Sequence, residues 1–196
     1  MKPKNKSNEN KTSKIPKTGW TARLWGCIEK ETNRDVAQKV IQDVVQFDST
    51  SNYIQKAAWI KGAIGRLEQL VDHETCIKIM ESCGRKCCGP TRRKQAKQFM
   101  TESKSVEEFL DKLNNAGVGG GRLQLKDKNL IVGEYDICYC GRVKQTKEHF
   151  PTDTYCHCGG GWLKQLFESA LEKPIEVGLV QSIIAGAKSC EFIINI

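Results

Sequence analysis

Residues 155–196 read YCHCGGGWLKQLFESALEKPIEVGLVQSIIAGAKSCEFIINI, and their pattern decides the fold class. Across residues 162–171 the apolar side chains recur at helical spacing and cover one broad face. Pro174 then opens an apolar segment, residues 175–184. In residues 190–196 apolar and polar side chains alternate, which is typical of a strand with one buried face. The sequence therefore predicts a helix packed on an antiparallel sheet.

The segment before this stretch adds strands to the predicted sheet. Two short apolar runs, residues 123–125 and 130–132, flank the polar residues 126–129, and this predicts two strands joined by a turn. The second strand is expected to run as far as Cys140. Residues 154–158 are predicted to form a short extended piece before a glycine run.

The first half of the chain has helical periodicity instead. Apolar residues within 36–45 and 60–71 recur at helical spacing. Asp72 is a candidate N-cap, Pro90 suits a helix start, and Ser105-Val-Glu-Glu108 has the form of a capping box. The predicted fold class is α+β, with an N-terminal helical segment followed by an antiparallel sheet and its packed helix. Its predicted parts are a disordered basic tail at 1–18, a helical subdomain at 19–116 and an α+β half at 117–196.

Composition and charge limit the classes of function. The chain has 196 residues and a formal charge of +8, but the first 18 residues alone hold six lysines and one glutamate. Because the positive charge is concentrated in that tail, nucleic-acid binding is not favoured. A cluster in the body has two interpretations, a solvated face or a phosphate-contacting patch: Arg85, Lys86, Arg92, Arg93, Lys94 and Lys97. Without a signal-peptide pattern or a long apolar run, the expected location is cytoplasmic, away from membranes.

Ten cysteines in such a compartment are expected to remain thiols. Four of them form two Cys-x-Cys pairs, Cys138 with Cys140 and Cys156 with Cys158. On a strand, residues two apart share a face, so two such pairs on neighbouring strands would converge. We expect a metal ion there, with zinc as the first candidate and an iron–sulfur cluster or copper as alternatives. Passive burial of small apolar side chains and thiol redox chemistry are the other interpretations.

A second group of cysteines lies near the end of a predicted helix. Cys83 and Cys87 are one turn apart on one helix face and suit a shared ligand, whereas Cys88 does not share that face. Whether these three join the Cys-x-Cys pairs is left open by the sequence. Cys27 is expected to stand alone near the tail.

The C-terminal region resembles the second half of the vinyl-reductase-like small-molecule-binding domains. The elements that carry the resemblance are Gly161-Trp162 at a helix start, Lys173-Pro174 before a strand, and Gly186-Ala-Lys-Ser-Cys190-Glu-Phe192 in the closing hairpin. The resemblance implies a ligand-sensing or carrier domain with an apolar pocket. In relatives of that family two cysteines eight positions apart help to hold a structural zinc. Here Cys190 matches the second, but Ser182 stands in place of the first, and serine is a poor zinc ligand.

The predicted function is small-molecule binding or sensing, with a cysteine-ligated metal or cluster. We expect the late helix to line the ligand pocket with Trp162, Leu166 and Phe167, because the glycine run before it allows close approach to the sheet. The alternative is a thiol- or metal-dependent enzyme that acts on a small molecule in the same pocket. The sequence does not decide between them, and a homodimer is also open.

Overall fold

The computed structural model describes residues 15–43, 51–120, 122–146 and 148–196 of the chain. Most of the predicted tail, residues 1–14, lies outside these ranges, and so do residues 44 and 45 of the first predicted helix. The described helices are α1 (Gly19–Glu31), α2 (Arg34–Val40), α3 (Tyr53–Leu70), α4 (His73–Cys87), α5 (Pro90–Thr101), α6 (Val106–Asn115) and α7 (His157–Leu171).

Three predicted helix starts are confirmed. The Asp72 carboxylate accepts a hydrogen bond from the backbone N–H of Thr75 at 2.9 Å, which caps α4. The Ser105 hydroxyl accepts from the N–H of Glu108 at 3.3 Å and caps α6. Pro90 is the first residue of α5, where its missing N–H leaves no intrahelical bond unmade.

Helix α1 was not predicted from the sequence. Its buried face includes Trp20, Leu24 and Ile28, which recur at helical spacing. Their proximity to the basic tail obscured the pattern, because helical periodicity needs a window longer than one turn.

Four strands form one antiparallel sheet in the order β1-β2-β4-β3, and this confirms the α+β fold class. The strands are β1 (Leu123–Asp127), β2 (Leu130–Tyr135), β3 (Glu176–Gln181) and β4 (Cys190–Asn195). In β4 the side chains of Cys190, Phe192 and Ile194 are buried, as the alternating pattern predicts.

Two predicted extended segments are wrong. Strand β2 ends at Tyr135, so it does not reach Cys140. Residues 154–158 are helical, with a 3-10 turn at Thr154–Cys156 that leads directly into α7. Helix α7 therefore begins before the glycine run and includes it, because the glycines are needed inside a helix crossing.

Two hydrophobic clusters form the core. One is centred on α1, α3 and α4 and also contains Val143, Phe150 and Ile184 from later in the chain. The other is built on the sheet, α6 and α7. Both clusters draw side chains from before and after residue 117, so the helical part and the sheet share their buried surface. No helix within the described ranges is long and apolar enough to cross a membrane.

Candidate functional site

A cavity of about 360 Å³ lies where α4, the start of α7, strands β2 and β4, and the loop after β2 meet. Its walls combine aromatic rings and cysteine side chains. Six cysteines line it: Cys87, Cys138, Cys140, Cys156, Cys158 and Cys190. They come from four separate segments of the chain, so the tertiary fold and not one local motif brings them together.

Two glycines allow the helix crossing that forms the cavity. A Cβ at Gly84 of α4 would lie 1.9 Å from the carbonyl oxygen of Cys158. A Cβ at Gly161 of α7 would lie 2.0 Å from the carbonyl oxygen of Glu81. Because both contacts are with backbone, only glycine permits this approach. The glycine run was expected to allow close approach to the sheet, and at Gly161 the close approach is to α4. Cys87 at the end of α4 and Cys158 in the first turn of α7 both line the cavity.

The two Cys-x-Cys pairs were expected on neighbouring strands, but they do not lie there. Cys138 and Cys140 are in the loop that follows β2. Cys156 ends the 3-10 turn, and Cys158 lies in the first turn of α7. The loop is held in place by the buried side chains of Val143 and Phe150. The pairs still converge on one cavity, although for a reason other than strand pairing.

The α4 wall, formed by Cys83 and Cys87, contains an interacting set of thiols. Cys83 is fully buried and shares thiol hydrogen bonds with Cys27 of α1 and with Cys87. The Arg23 guanidinium donates a hydrogen bond to the Cys87 sulfur at 3.0 Å. The hydrogen bond from Cys83, assisted by the positive charges of Arg23 and Arg142, lowers the pKa of Cys87 to about 6. Cys83 has one S–H proton to donate, so Arg23 makes Cys87 the favoured thiolate of the set.

The α7 wall, formed by Cys156 and Cys158 with the facing loop cysteines, has the opposite character. Burial raises the pKa of Cys158, and the neighbouring Cys140 and Cys87 raise it further. Burial also raises the pKa of Cys138 to about 11. The Cys140 sulfur lies 3.0 Å from the buried Tyr155 hydroxyl. The thiols of Cys138 and Cys158 are therefore neutral at pH 7 in the metal-free protein.

Cys156 and Cys190 form a third interaction at the sheet side of the cavity. Their shared thiol hydrogen bond raises the pKa of Cys156 and lowers the pKa of Cys190 to about 7. The backbone N–H of Ile183 donates to the Cys190 sulfur at 3.3 Å. Ser182 is buried beside Cys156, which comes from another segment of the chain.

Some predicted site residues lie elsewhere. Cys88 is buried in the sheet-side core cluster and does not line the cavity, and Cys83 lies behind Cys87 without reaching it. Of the predicted ligand-contacting residues, Trp162 lines the cavity. Leu166 and Phe167 are fully buried in the core, because the helix turns that face toward the sheet and α6.

Cys27 and Cys190 were missed or misjudged from the sequence. Cys27 is buried against Cys83 and does not stand alone. The available signal was the position of Cys27 on the apolar face of α1, and this signal depends on identifying α1 as a helix. Only the vinyl-reductase-like resemblance pointed to Cys190 as a site residue, and Cys190 lines the cavity.

The spread of the thiols limits what they could hold. Among the described residues, no group of three or more histidine, cysteine, aspartate or glutamate side chains is close enough together to hold one metal ion. The cysteines surround a space instead of meeting at a point.

A family comparison places the chain. Residues 18–196 match the model of a family of unknown function, DUF6144, and the chain belongs to that family. A search of curated proteins finds no match.

Proposed function

We propose that this DUF6144 protein binds or senses a small molecule in its thiol-lined cavity and holds a cysteine-ligated metal centre there. The observation that carries the proposal is the convergence of six cysteines, from four separate chain segments, on one cavity. Passive burial does not require such convergence, since isolated buried cysteines such as Cys76 pack well as small apolar residues.

The α7 wall supplies the sulfur atoms of the proposed metal centre. The thiols of Cys138, Cys156 and Cys158 all have raised pKa values, with burial and neighbouring thiols as the causes. A bound metal favours the thiolate forms, because cysteine ligands bind deprotonated. Cys138, Cys140, Cys156 and Cys158 are therefore the residues that would hold the metal.

The spread of these thiols argues against one tetrahedral zinc ion, and an iron–sulfur cluster is the proposed occupant. One tetrahedral zinc ion needs sulfurs about 3.8 Å apart, and within the described ranges no three candidate ligands are so grouped. A cluster is larger and is held by cysteines around its outside. Held by four cysteines, it would supply electron transfer next to the cavity. Zinc and copper are retained as alternatives.

The small molecule is the second part of the proposal. Trp20, Trp162 and Phe192 give the cavity an apolar wall, and this supports the ligand pocket that the vinyl-reductase-like resemblance implies. Space for a ligand in direct reach of the thiols distinguishes this cavity from a closed structural metal site.

Metal analysis of protein purified without oxygen tests the metal centre. We expect iron and acid-labile sulfide in the wild type, and their loss in the Cys140→Ser, Cys158→Ser double variant. Cys76→Ala is the matched control, because Cys76 is buried in the core and does not line the cavity, and it should retain the metal. A wild type that binds no iron, zinc or copper after anaerobic reconstitution would contradict the proposal.

A thiol-dependent enzyme is the second candidate, and the Arg23 contact with Cys87 favours it. A cysteine that borders a cavity and accepts a 3.0 Å hydrogen bond from a guanidinium has the surroundings of a nucleophile. The two candidates differ in their dependence on the metal. An enzyme of this kind should turn over substrate after chelation, and it should lose that activity in Cys87→Ser.

A further inference from the structure

The cavity has a distinct charge. Its lining includes the guanidinium side chains of Arg92 and Arg142 and, among the described residues, no aspartate or glutamate. The thiolate of Cys87 and, in part, that of Cys190 offset some of this charge, and the two guanidinium groups together exceed it, so the cavity favours anions.

Arg142 directs its charge at the cavity. Its guanidinium carbon lies 5.8 Å from the ring centroid of Trp20, which is itself part of the wall. The same charge acts on the cavity thiols of Cys87 and Cys158 and on the Tyr155 hydroxyl. The guanidinium group of Arg142 therefore lies at the cavity surface, within electrostatic reach of these side chains.

Arg92 is also available to a ligand. It lies in the first turn of α5, where it donates to the Gln95 side chain at 2.9 Å. Two other members of the predicted basic cluster are neutralised within the protein, Arg85 by Glu168 and Lys97 by Glu172. In the part of the chain that the structure describes, no carboxylate is ion-paired with Arg92 or Arg142.

The remaining walls are apolar. Tyr135, Trp162 and Phe192 present rings from three elements. Ile137 and Tyr139 also line the cavity while 58% and 57% exposed, so they form a mouth that an apolar molecule can cross.

We propose that the cavity binds a small organic acid, with its aromatic or aliphatic body between the ring walls and its carboxylate held by Arg142 and Arg92. A planar carboxylate matches the paired donors of a guanidinium. This inference rests on the proposed function in that it names the ligand class of the same cavity.

Binding of three matched probes to the full chain, purified without oxygen, tests the inference. The probes are 3-phenylpropionate, 3-phenylpropan-1-ol and 3-phenylpropylamine, which share a body and differ in charge, and their affinities are measured by titration calorimetry. We expect the carboxylate to bind at least about tenfold more tightly than the alcohol, the factor that one charge-assisted hydrogen bond provides, and the amine to bind most weakly. Equal affinities for acid and alcohol, or no binding of any probe, would overturn the inference.

Two variants assign the recognition to the cavity. Arg142→Gln should reduce the preference for the carboxylate to what Arg92 alone supports and leave the affinity for the alcohol unchanged. Arg93→Gln makes the same charge change on α5 at an exposed residue outside the cavity lining, and it should retain the full preference. A preference of unchanged size in Arg142→Gln would overturn the role of Arg142.

Metal content measured on the same samples separates this inference from the proposed function. Metal-loaded wild type without a carboxylate preference would refute the inference alone. A carboxylate preference in protein that cannot be loaded with metal would refute the metal centre alone. Loss of the metal together with the preference in Arg142→Gln would show that Arg142 balances the charge of the metal site, which overturns its assignment to the ligand.

Discussion

The two walls of the cavity carry the same functional group in opposite states. On the α4 wall, Cys87 accepts hydrogen bonds from Cys83 and Arg23, and its pKa falls to about 6. On the α7 wall, Cys158 is buried beside other thiols, and its pKa rises. The difference teaches that neighbouring donors and burial determine what a cysteine does here, and that Cys-x-Cys spacing alone does not.

This contrast corresponds to two tasks. Thiols that resist ionisation in the metal-free protein are suited to a site that a metal completes. A thiolate that is stabilised by an arginine is suited to reaction or to an exchangeable contact. The walls can be separated experimentally, because each is supported by different residues.

The largest effect is expected behind the α7 wall. Phe167 is fully buried and packs edge-to-face on Phe109 with ring centroids 5.9 Å apart. Phe167→Ala should lower the free energy of unfolding by about 3–5 kcal/mol, measured by denaturant titration. The metal and probe affinities of the folded fraction should be unchanged, because Phe167 does not line the cavity.

Trp162→Ala is the matched variant on the cavity side of the same helix. Trp162 is half-buried and lines the cavity, so its removal should cost less stability and weaken the binding of 3-phenylpropionate. If Phe167→Ala weakens probe binding more than Trp162→Ala does, the separation of core and cavity along α7 is wrong.

A smaller loss is expected from pushing the walls apart. In Gly84→Ala the new Cβ would meet the Cys158 carbonyl oxygen at 1.9 Å, so α4 and α7 must separate. Overpacking of this kind costs about 1–3 kcal/mol. Because the shift moves Cys87 away from Cys158, metal content and probe affinity should fall as well.

Gly65→Ala controls for the glycine replacement itself. Gly65 lies within α3, and nothing stands within 4 Å of its added Cβ. This variant should stabilise the protein by about 0.5–1 kcal/mol and leave the cavity intact. Equal stability changes in the two variants would show that the helix crossing tolerates a methyl group.

Much of the fold was predictable because it is encoded locally. Asp72 and Ser105 predict helix starts because their side chains can cap the first turn. The alternation of apolar and polar residues around Phe192 and Ile194 predicts β4. The hairpin of β1 and β2 follows from two apolar runs around a polar turn. Each signal depends only on residues a few positions apart.

The cavity was only partly predictable because it depends on contacts between distant segments. The periodicity of α7 identifies Leu166 and Phe167, which form the core. It gives no information about the helix start, where Cys158 contacts α4. The pairing of Gly84 with Cys158 and of Cys27 with Cys83 requires the packing of helices that are far apart in sequence. The cysteine pattern predicted that the two Cys-x-Cys pairs converge, and they do line one cavity, but the strands assigned to them were wrong.

The last prediction concerns reactivity and should leave stability unchanged. Iodoacetamide reacts with thiolates, so in metal-free protein the alkylation rate of Cys87 should rise with pH to a midpoint of about 6. Cys158, with its raised pKa, should react only at much higher pH. Mass spectrometry of peptides, sampled over a pH series from about 5 to 9, reports the alkylation of both residues in one experiment.

Arg23→Gln removes the donor that lies 3.0 Å from the Cys87 sulfur and should move the Cys87 midpoint upward. Arg34→Gln, which changes an exposed arginine on α2, should not move it. A Cys87 midpoint near the ordinary cysteine value of about 8.5, or equal rates for Cys87 and Cys158, would show that the two walls do not differ.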